Sequence, residues 1–431
     1  MLRYQSIDSS LFINNRKKLM QHLLPNSLVV INANDIMPTN ADGIMGFRQN
    51  SDLFYLSGID QEETILILYP DAPKNEWKEI LFIKETDEHI AIWEGQKHTH
   101  ETAKATSGIS NIHWLYEFEQ VFHTIMEQAE YVYLNSNEHI RADSPVETRE
   151  IRFIKWCQNK YPLHKYERLA RIMHQLRMIK SELEIDLIKQ ACSITEKGFR
   201  RILPLVKPGI MEYEIQAELI HEFIRNRSRG FAYEPIIASG SNACVLHYTN
   251  NNQSCEPGAS ILLDVGAEYA NYCSDLTRVI PVSGRFTVRQ RNVYNAVLRI
   301  MRQAQKMLVP GNDLNTYHQA LSEVIEKELV DLGLLTTEEI NNQDPKHPAY
   351  KKYFMHGVSH HIGLSVHDVG NIYKKFKPGM VLTIEPGIYI REEGLGVRLE
   401  NNFVIREQGV EDLMVTIPIE ADEIEELMQQ E

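Results

Sequence analysis

The chain has no Cys-x-x-Cys pair, and its five cysteines (Cys157, Cys192, Cys244, Cys255 and Cys273) leave one over. A disulfide framework is therefore not expected, and a reducing cytoplasm fits best. Long apolar runs are absent too. SLVVINA and GASILLDVG are strand-sized, far from the roughly 18 residues of a membrane-spanning helix. The N-terminus, MLRYQSIDSS, lacks the basic-then-apolar pattern of a secretory signal. Basic surplus is missing as well: a formal charge of −14 argues against nucleic acid or an anionic membrane surface as partner.

At 431 residues the chain is too long for one ordinary core, so two or three domains are expected. Its hydrophobic content of 43% and charged content of 24% are those of a soluble globular protein. The first half reads as mixed α/β: NSLVVINAN, TILILYP, EILFIKE and YVYLNS are β-rich, and VFHTIMEQA is helical between them. Residues 147–176 are charged and helical in pattern, with Pro162 interrupting, which sets domain boundaries at 1–176 and 177–431. Beyond them, Ser181 with Glu184 has capping-box spacing at the head of a long helix, whose Ile185, Ile188, Cys192 and Thr195 share one face. That helix stops at Pro208-Gly209 and a second follows; the same helix, Pro-Gly, helix order recurs around Pro310-Gly311, which hints at an internal duplication. ASILLDVGAEYANYCSDLTRVIPV reads as a hairpin, and GMVLTIEPGIYI with LGVRLENNFVIRE as a second antiparallel pair.

The strand-rich stretches carry acidic residues where strands rarely want them. With the first hairpin symmetric about Tyr269-Ala270, Asp264 and Asp275 become direct cross-strand partners, about 4.5–5.5 Å apart at Cβ; any even shift of register keeps them on one face. Two carboxylates so close among Leu262, Leu263 and Leu276 repel unless a cation lies between them. The competing reading has one aspartate facing solvent and the other capping a turn. Glu385 ends the apolar run VLTIE, and Glu400 sits inside VRLENNFVI, although glutamate is a poor strand residue. Taken singly, each is an edge or surface glutamate. The run FMHGVSHHIGLSVHDVG adds four histidines, His356, His360, His361 and His367, the side chain most suited to metal ligation and neutral-pH proton transfer. Four carboxylates and one imidazole make a two-metal site, with ions about 3.5–4 Å apart and a bridging water that becomes hydroxide. An oxygen-rich set of this kind favours Mn²⁺, with Zn²⁺, Co²⁺ or Fe²⁺ as alternatives.

These stretches, together with ASGSNACVLHYTNN (238–251) and GVRLEN (396–401), resemble in order and spacing the Xaa-Pro aminopeptidase (aminopeptidase P) and prolidase family. FRQNSDLFYLSG (47–58) resembles the N-terminal domain of the aminopeptidase branch. The resemblance implies an α/β (α+β) architecture: an α/β N-terminal domain, then a pita-bread catalytic domain with a curved, mainly antiparallel sheet flanked by helices. It implies that Asp264, Asp275, His360, Glu385 and Glu400 ligate two metal ions. His367 falls where the family contacts the scissile carbonyl, and His247 where it lines the proline site. His356 and Arg398 match residues that assist proton movement and site geometry. His361 has no family role and is read as packing. Trp93, in IWEGQ, matches an aromatic that reaches a neighbouring subunit's active site, so a homodimer or homotetramer is expected; ordinary core is the competing reading.

The chemistry follows the same lines. A hydroxide between two divalent ions attacks the carbonyl before proline, metal and His367 stabilise the oxyanion, and Glu385 passes a proton to the leaving nitrogen. An imide nitrogen carries no hydrogen and its ring restricts approach, so a shaped pocket is needed, lined by His247 and Tyr389. The substrate is then a peptide with proline second, its free amine held near the metals. Two departures from the family stand out: S-V-H-D in place of D-V-H-D beside His367, and E-N-N after Arg398-Leu399 in place of the more usual E-D-D or E-N-x. The short loop between Glu385 and Glu400 favours an aminopeptidase over a prolidase restricted to dipeptides. A non-catalytic pita-bread protein, which would lack ligand carboxylates, is the reading from another class.

Overall fold

Four of the β-rich runs of the first half align in one six-stranded sheet of the computed structural model, which describes residues 3–429. The chain divides into two units, Met1–Arg177 and Met178–Glu431. In the first, the strand order is Asn111–Trp114, Glu79–Ile83, Ile65–Leu68, Ser27–Asn32, Tyr131–Leu134, Lys165–Arg168. Pairing is antiparallel among Glu79–Ile83, Ile65–Leu68 and Ser27–Asn32, and parallel towards both edges. Every residue of Ser27–Asn32 is buried, as expected of a strand covered on both faces. The helix Phe118–Met126 buries Phe118, Phe122, Ile125 and Met126, an apolar stripe at helical spacing.

The charged segment 147–176 is only partly helical. Helices Arg149–Lys160 and Ala170–Met178 flank a strand, Lys165–Arg168, that pairs with Tyr131–Leu134. That strand is an edge, where charged side chains face water and only backbone pairing is required, so its KYER sequence carries no apolar signal.

In the second unit, helix Glu182–Ile202 starts where Ser181 N–H donates to Glu184 Oε2 (2.9 Å), and it buries Ile185, Ile188, Cys192 and Thr195. It packs on helix Glu212–Arg225 closely enough that a Cβ on Gly198 would meet the Phe223 ring at 2.6 Å. Helices Val288–Met307 and Leu314–Asp331 form a second pair. Each pair is joined through a Pro-Gly whose glycine is left-handed, Gly209 at φ 90° and Gly311 at φ 89°. A three-stranded antiparallel sheet follows each: Leu276–Pro281, Ser260–Val265, Ile236–Ser239 in the first case, and Val381–Ile384, Asn401–Ile405, Val410–Asp412 in the second.

The first hairpin is centred one residue further on than the sequence suggests. Tyr269 faces Tyr272 and Asp264 faces Thr277, so the turn is Ala270-Asn271, both left-handed (φ 52° and 66°). A two-residue hairpin turn of this hand needs positive φ at both centres, and asparagine tolerates it better than tyrosine does. Asp275 therefore lies two residues from Asp264's partner, still on the same face. The second pair is split: Gly387–Ile390 pairs with Leu395–Arg398, Val381–Ile384 with Asn401–Ile405, and Glu400 lies at the junction. There Glu400 N–H donates to Thr277 O (3.0 Å), stitching the two halves together. Fully buried Arg278 reinforces the seam by donating to the carbonyls of Thr277, Glu400 and Pro418 and to Asn401 Oδ1. No described helix is long and apolar enough to cross a membrane.

Candidate metal centre and its surroundings

Strand ends deliver the acidic residues to one point. Asp264 is near the end of Ser260–Val265, Asp275 precedes Leu276–Pro281, Glu385 follows Val381–Ile384, and Glu400 opens onto Asn401–Ile405. His360 arrives on a loop fixed to the strand Val381–Ile384, where Thr383 N–H donates to His360 O (2.9 Å) and His360 N–H to Thr383 Oγ1 (3.2 Å). His360 Nε2 lies 3.4 Å from Asp275, 3.8 Å from Glu385 and 3.9 Å from Glu400. Asp264 joins through Tyr233, whose hydroxyl touches Asp264 Oδ1 (2.7 Å) and Asp275 Oδ1 (2.5 Å). All five residues converge.

The donor count of this cluster falls short of its acceptors. One hydroxyl hydrogen on Tyr233 serves two carboxylates. Glu400 Oε2 accepts from Thr277 Oγ1 (2.7 Å), while its buried Oε1 has no hydrogen-bond partner among the described residues. Ligand atoms of Asp275, His360 and Glu400 lie within 4.8 Å of one another. Burial and mutual repulsion push the carboxyls of Asp264 and Glu400 up, and burial pushes Glu385 up to about 7 against the pull of His360 and Arg398. A group of anions so starved of donors is what divalent cations would satisfy, and the residues fit that role.

His360 is oriented for it. Its Nδ1 lies 3.0 Å from the His361 carbonyl, which can only accept, so Nδ1 carries the hydrogen and Nε2 turns its lone pair into the carboxylates. Burial opposes charge on this ring, but Asp275 and Glu385 outweigh it and raise its basicity.

A second chain of contacts leads away from Asp264. Arg398 donates to Asp264 Oδ2 (2.6 Å) and, through Nη1, to the Tyr389 hydroxyl (2.8 Å). That hydroxyl is 2.7 Å from His356 Nε2, and His356 Nδ1 is 2.7 Å from Gly357 O. The carbonyl fixes the hydrogen on Nδ1, so Tyr389 donates to Nε2; burial, with Arg398 nearby, holds His356 neutral down to about 3. Tyr389 therefore does not line a pocket as the sequence suggests. Its side chain is fully buried, and it reaches the site by its hydroxyl alone.

The other expected residues surround this core. His367 is half-buried, with its ring 4.5 Å from that of His360. His247 is exposed, close enough to His356 to oppose a charge there. His361 is buried and neutral, its Nδ1 without a partner among the described residues. Its ring fills the space where a Cβ on Gly370 would sit, at 2.0 Å, which is why a glycine closes the histidine run. Trp93 lies on the short helix Glu88–Glu94 of the first unit and is 78% exposed, so the core reading is excluded.

Two residues went unremarked in the sequence, and a third, Asn402, was met only within E-N-N. Tyr233, in GFAYEP, has no spacing signal. Thr277 was legible, because it is two residues after Asp275 and a strand returns it to the same face. Asn402 clamps the Asp275 backbone in both directions, accepting from its N–H (3.0 Å) and donating to its carbonyl (2.8 Å). The second asparagine of E-N-N thus holds a site residue, and the first, Asn401, accepts from Arg278.

Comparison with known proteins identifies the two parts of the chain by family. Residues 186–407 match "Metallopeptidase family M24", and residues 12–133 match "Aminopeptidase P, N-terminal domain". The Xaa-Pro aminopeptidase of Haemophilus influenzae is 32% identical over 432 aligned positions, covering 97% of this chain and 96% of the relative. The solved structure of Pseudomonas aeruginosa aminopeptidase PepP superposes with a TM-score of 0.87 at 31% identity, over 98% of each chain. A zinc-substituted Escherichia coli aminopeptidase P in complex with product gives 0.87 at 31%, over 98% of this chain and 99% of that one.

Proposed function

The chain belongs to metallopeptidase family M24, as an aminopeptidase of its Xaa-Pro branch, and from that premise we propose that it cleaves the bond between an N-terminal residue and a following proline. The observation that carries this reading is the meeting of Asp264, Asp275, His360, Glu385 and Glu400 around one donor-poor point. These five would hold two divalent ions, with Mn²⁺ favoured because four of the five donors are carboxylates. When bound, such ions lower the pKa of a water and polarise a carbonyl.

The chain's own groups do the rest. Glu385 lies 3.8 Å from both His356 and His360; it takes the proton of the attacking water and returns it to the leaving nitrogen. His367 donates to the oxygen on which charge develops. Arg398 fixes the Asp264 carboxylate, and the Tyr389–His356 link keeps Arg398 in place. His247, exposed beside His356, forms the wall against the proline ring. The acidic cluster also suits the substrate's ammonium group, which makes the enzyme an exopeptidase. Trp93, exposed on the first unit, supports a homodimer or homotetramer in which a second copy meets it. Five buried thiols, none in a disulfide, suit a cytoplasmic setting.

The test is a peptide panel with metal content recorded: Xaa-Pro-Xaa-Xaa, Xaa-Pro and Xaa-Ala-Xaa-Xaa, with Mn²⁺ and after chelation. Release of the first residue from the proline tetrapeptide, lost on chelation and regained with Mn²⁺, is expected. Turnover of the dipeptide alone would select a prolidase. No turnover with metal bound would leave a binding protein.

A further inference from the structure

The segment between the strands Ile236–Ser239 and Ser260–Val265 carries His247, yet contains only one short turn of 3-10 helix, Gly240–Cys244. A backbone bridge holds its far end, Cys255 N–H to Ile210 O (2.8 Å) and Gly209 N–H to Cys255 O (2.9 Å), but no strand pairing reaches the stretch 245–252 around His247, so side chains must hold that part. We propose that Glu212, first residue of the helix Glu212–Arg225, is the positioning residue for His247; this rests on the reading of His247 as the proline wall. Glu212 is fully buried, although a carboxylate in the first turn of a helix normally faces solvent.

Its two oxygens collect four donors spread along the segment. Oε1 accepts from Ser239 N–H (2.8 Å) and Asn242 Nδ2 (3.3 Å). Oε2 accepts from the Tyr248 hydroxyl (2.8 Å) and Gln253 N–H (2.9 Å). The Glu212 N–H adds a bond to Gln253 O (3.0 Å). One side chain thus ties both ends of the segment and the residue adjoining His247. Tyr248 is anchored and buried while His247 stays exposed, so the backbone is pinned and the imidazole is left for a ligand. One helical turn on, Gln216 accepts from Asn251 Nδ2 (3.2 Å), whose Oδ1 takes the Ile237 N–H (2.9 Å). The same helix face therefore braces the far end too. No catalytic group contacts Glu212, which acts only by setting where His247 stands relative to His356.

Glu212→Gln keeps the volume but turns one oxygen into a donor. Tyr248 can reverse its hydroxyl to suit, whereas an N–H of the main chain cannot, so one backbone bond and the charge are lost. KM for an Xaa-Pro tetrapeptide should rise about tenfold with kcat and metal content little changed. In a His247→Ala background the same substitution should leave KM unaltered, because there is no imidazole left to place. Hydrogen exchange on the metal-loaded protein should become at least about tenfold faster at the Ser239 and Gln253 amides and through 240–252 in Glu212→Gln, and not in His247→Ala. An additive effect of the two substitutions, or unchanged exchange in that segment, overturns the proposal. Failure of the wild type to cleave any Xaa-Pro peptide would remove the proline reading instead, and the exchange result would still decide whether Glu212 holds the loop.

Discussion

Tyr233→Phe removes a single oxygen atom from the edge of the acidic cluster and should weaken metal binding. The Tyr233 hydroxyl is the only group bonded to both Asp264 and Asp275 among the described residues, at 2.7 and 2.5 Å. A hydrogen bond to a charged acceptor contributes about 1.5–3 kcal/mol. Asp264 retains Arg398 and Asp275 retains the Asn402 clamp on its backbone, so the carboxylates lose direction without losing their places. Partners that orient metal ligands typically account for about 10–100-fold in affinity, which is the same energy range. The dissociation constant for Mn²⁺, measured by competition with a chelating indicator, should therefore rise about 10–100-fold. Full occupancy at high metal should restore most of kcat. A constant within about threefold of wild type would refute the orienting role assigned to the hydroxyl. Tighter binding in the variant would refute it more strongly, since the phenol would then be competing with the ions for the same oxygens.

Glu385→Gln should abolish hydrolysis while metal analysis finds most of the metal retained; turnover comparable to wild type would remove Glu385 from proton transfer. Asp264→Ala should instead lower metal content per chain, read by the same analysis. Lys180→Met leaves the Asp368 carboxylate buried without the ammonium that now lies 3.0 Å away, both side chains being 1% exposed. That should destabilise the second unit by about 3–5 kcal/mol in a denaturant titration, and adding Asp368→Asn should recover most of it; equal loss in single and double variants would contradict the pairing. In the first unit, burial pushes Glu150 up to about 8, while Asn32 donates to both its oxygens. The folded chain then keeps this proton after the unfolded chain has released it, so stability falls as pH rises from the ordinary carboxyl value to about 8. Glu150→Gln should flatten that slope, which approaches about 1.4 kcal/mol per pH unit for a single group, in melts taken between pH 5 and 8; an unchanged slope would show that Glu150 is not its source.

What the sequence revealed of the fold depended on how each segment is buried. Ser27–Asn32 and Phe118–Met126 announce themselves because apolar residues fall at the period of their element. Lys165–Arg168 does not, because an edge strand needs backbone pairing and nothing from its side chains. The hairpin register failed by two residues, its centre by one, for a related reason. Apolar alternation is symmetric to a shift of two, and only the left-handed Asn271 at the turn breaks the tie. Since that shift is even, the error left Asp264 and Asp275 on one face, and the argument that they share a cation did not depend on the register.

The site divides along a similar line. Acidic residues on apolar strands stand out once several occur together, and His360 was singled out from a run of four histidines only by the family resemblance. The groups that orient them give no such signal. A tyrosine such as Tyr233, an asparagine such as Asn402 or a first-turn glutamate such as Glu212 is an ordinary residue in its own stretch of chain. Each becomes informative only when folding brings it against a partner far along the sequence, as Asn402 meets Asp275 and Glu212 meets Gln253. Tyr389 makes the point from the other side: aromatic and next to the motif, it read as a pocket wall, yet the strand pair Gly387–Ile390 and Leu395–Arg398 turns its ring inward and leaves only the hydroxyl to reach Arg398. Ligands are chosen by residue type, which a sequence displays. Their orientation is chosen by topology, and a site whose ligands all sit at strand ends places that second burden on residues from other strands and helices.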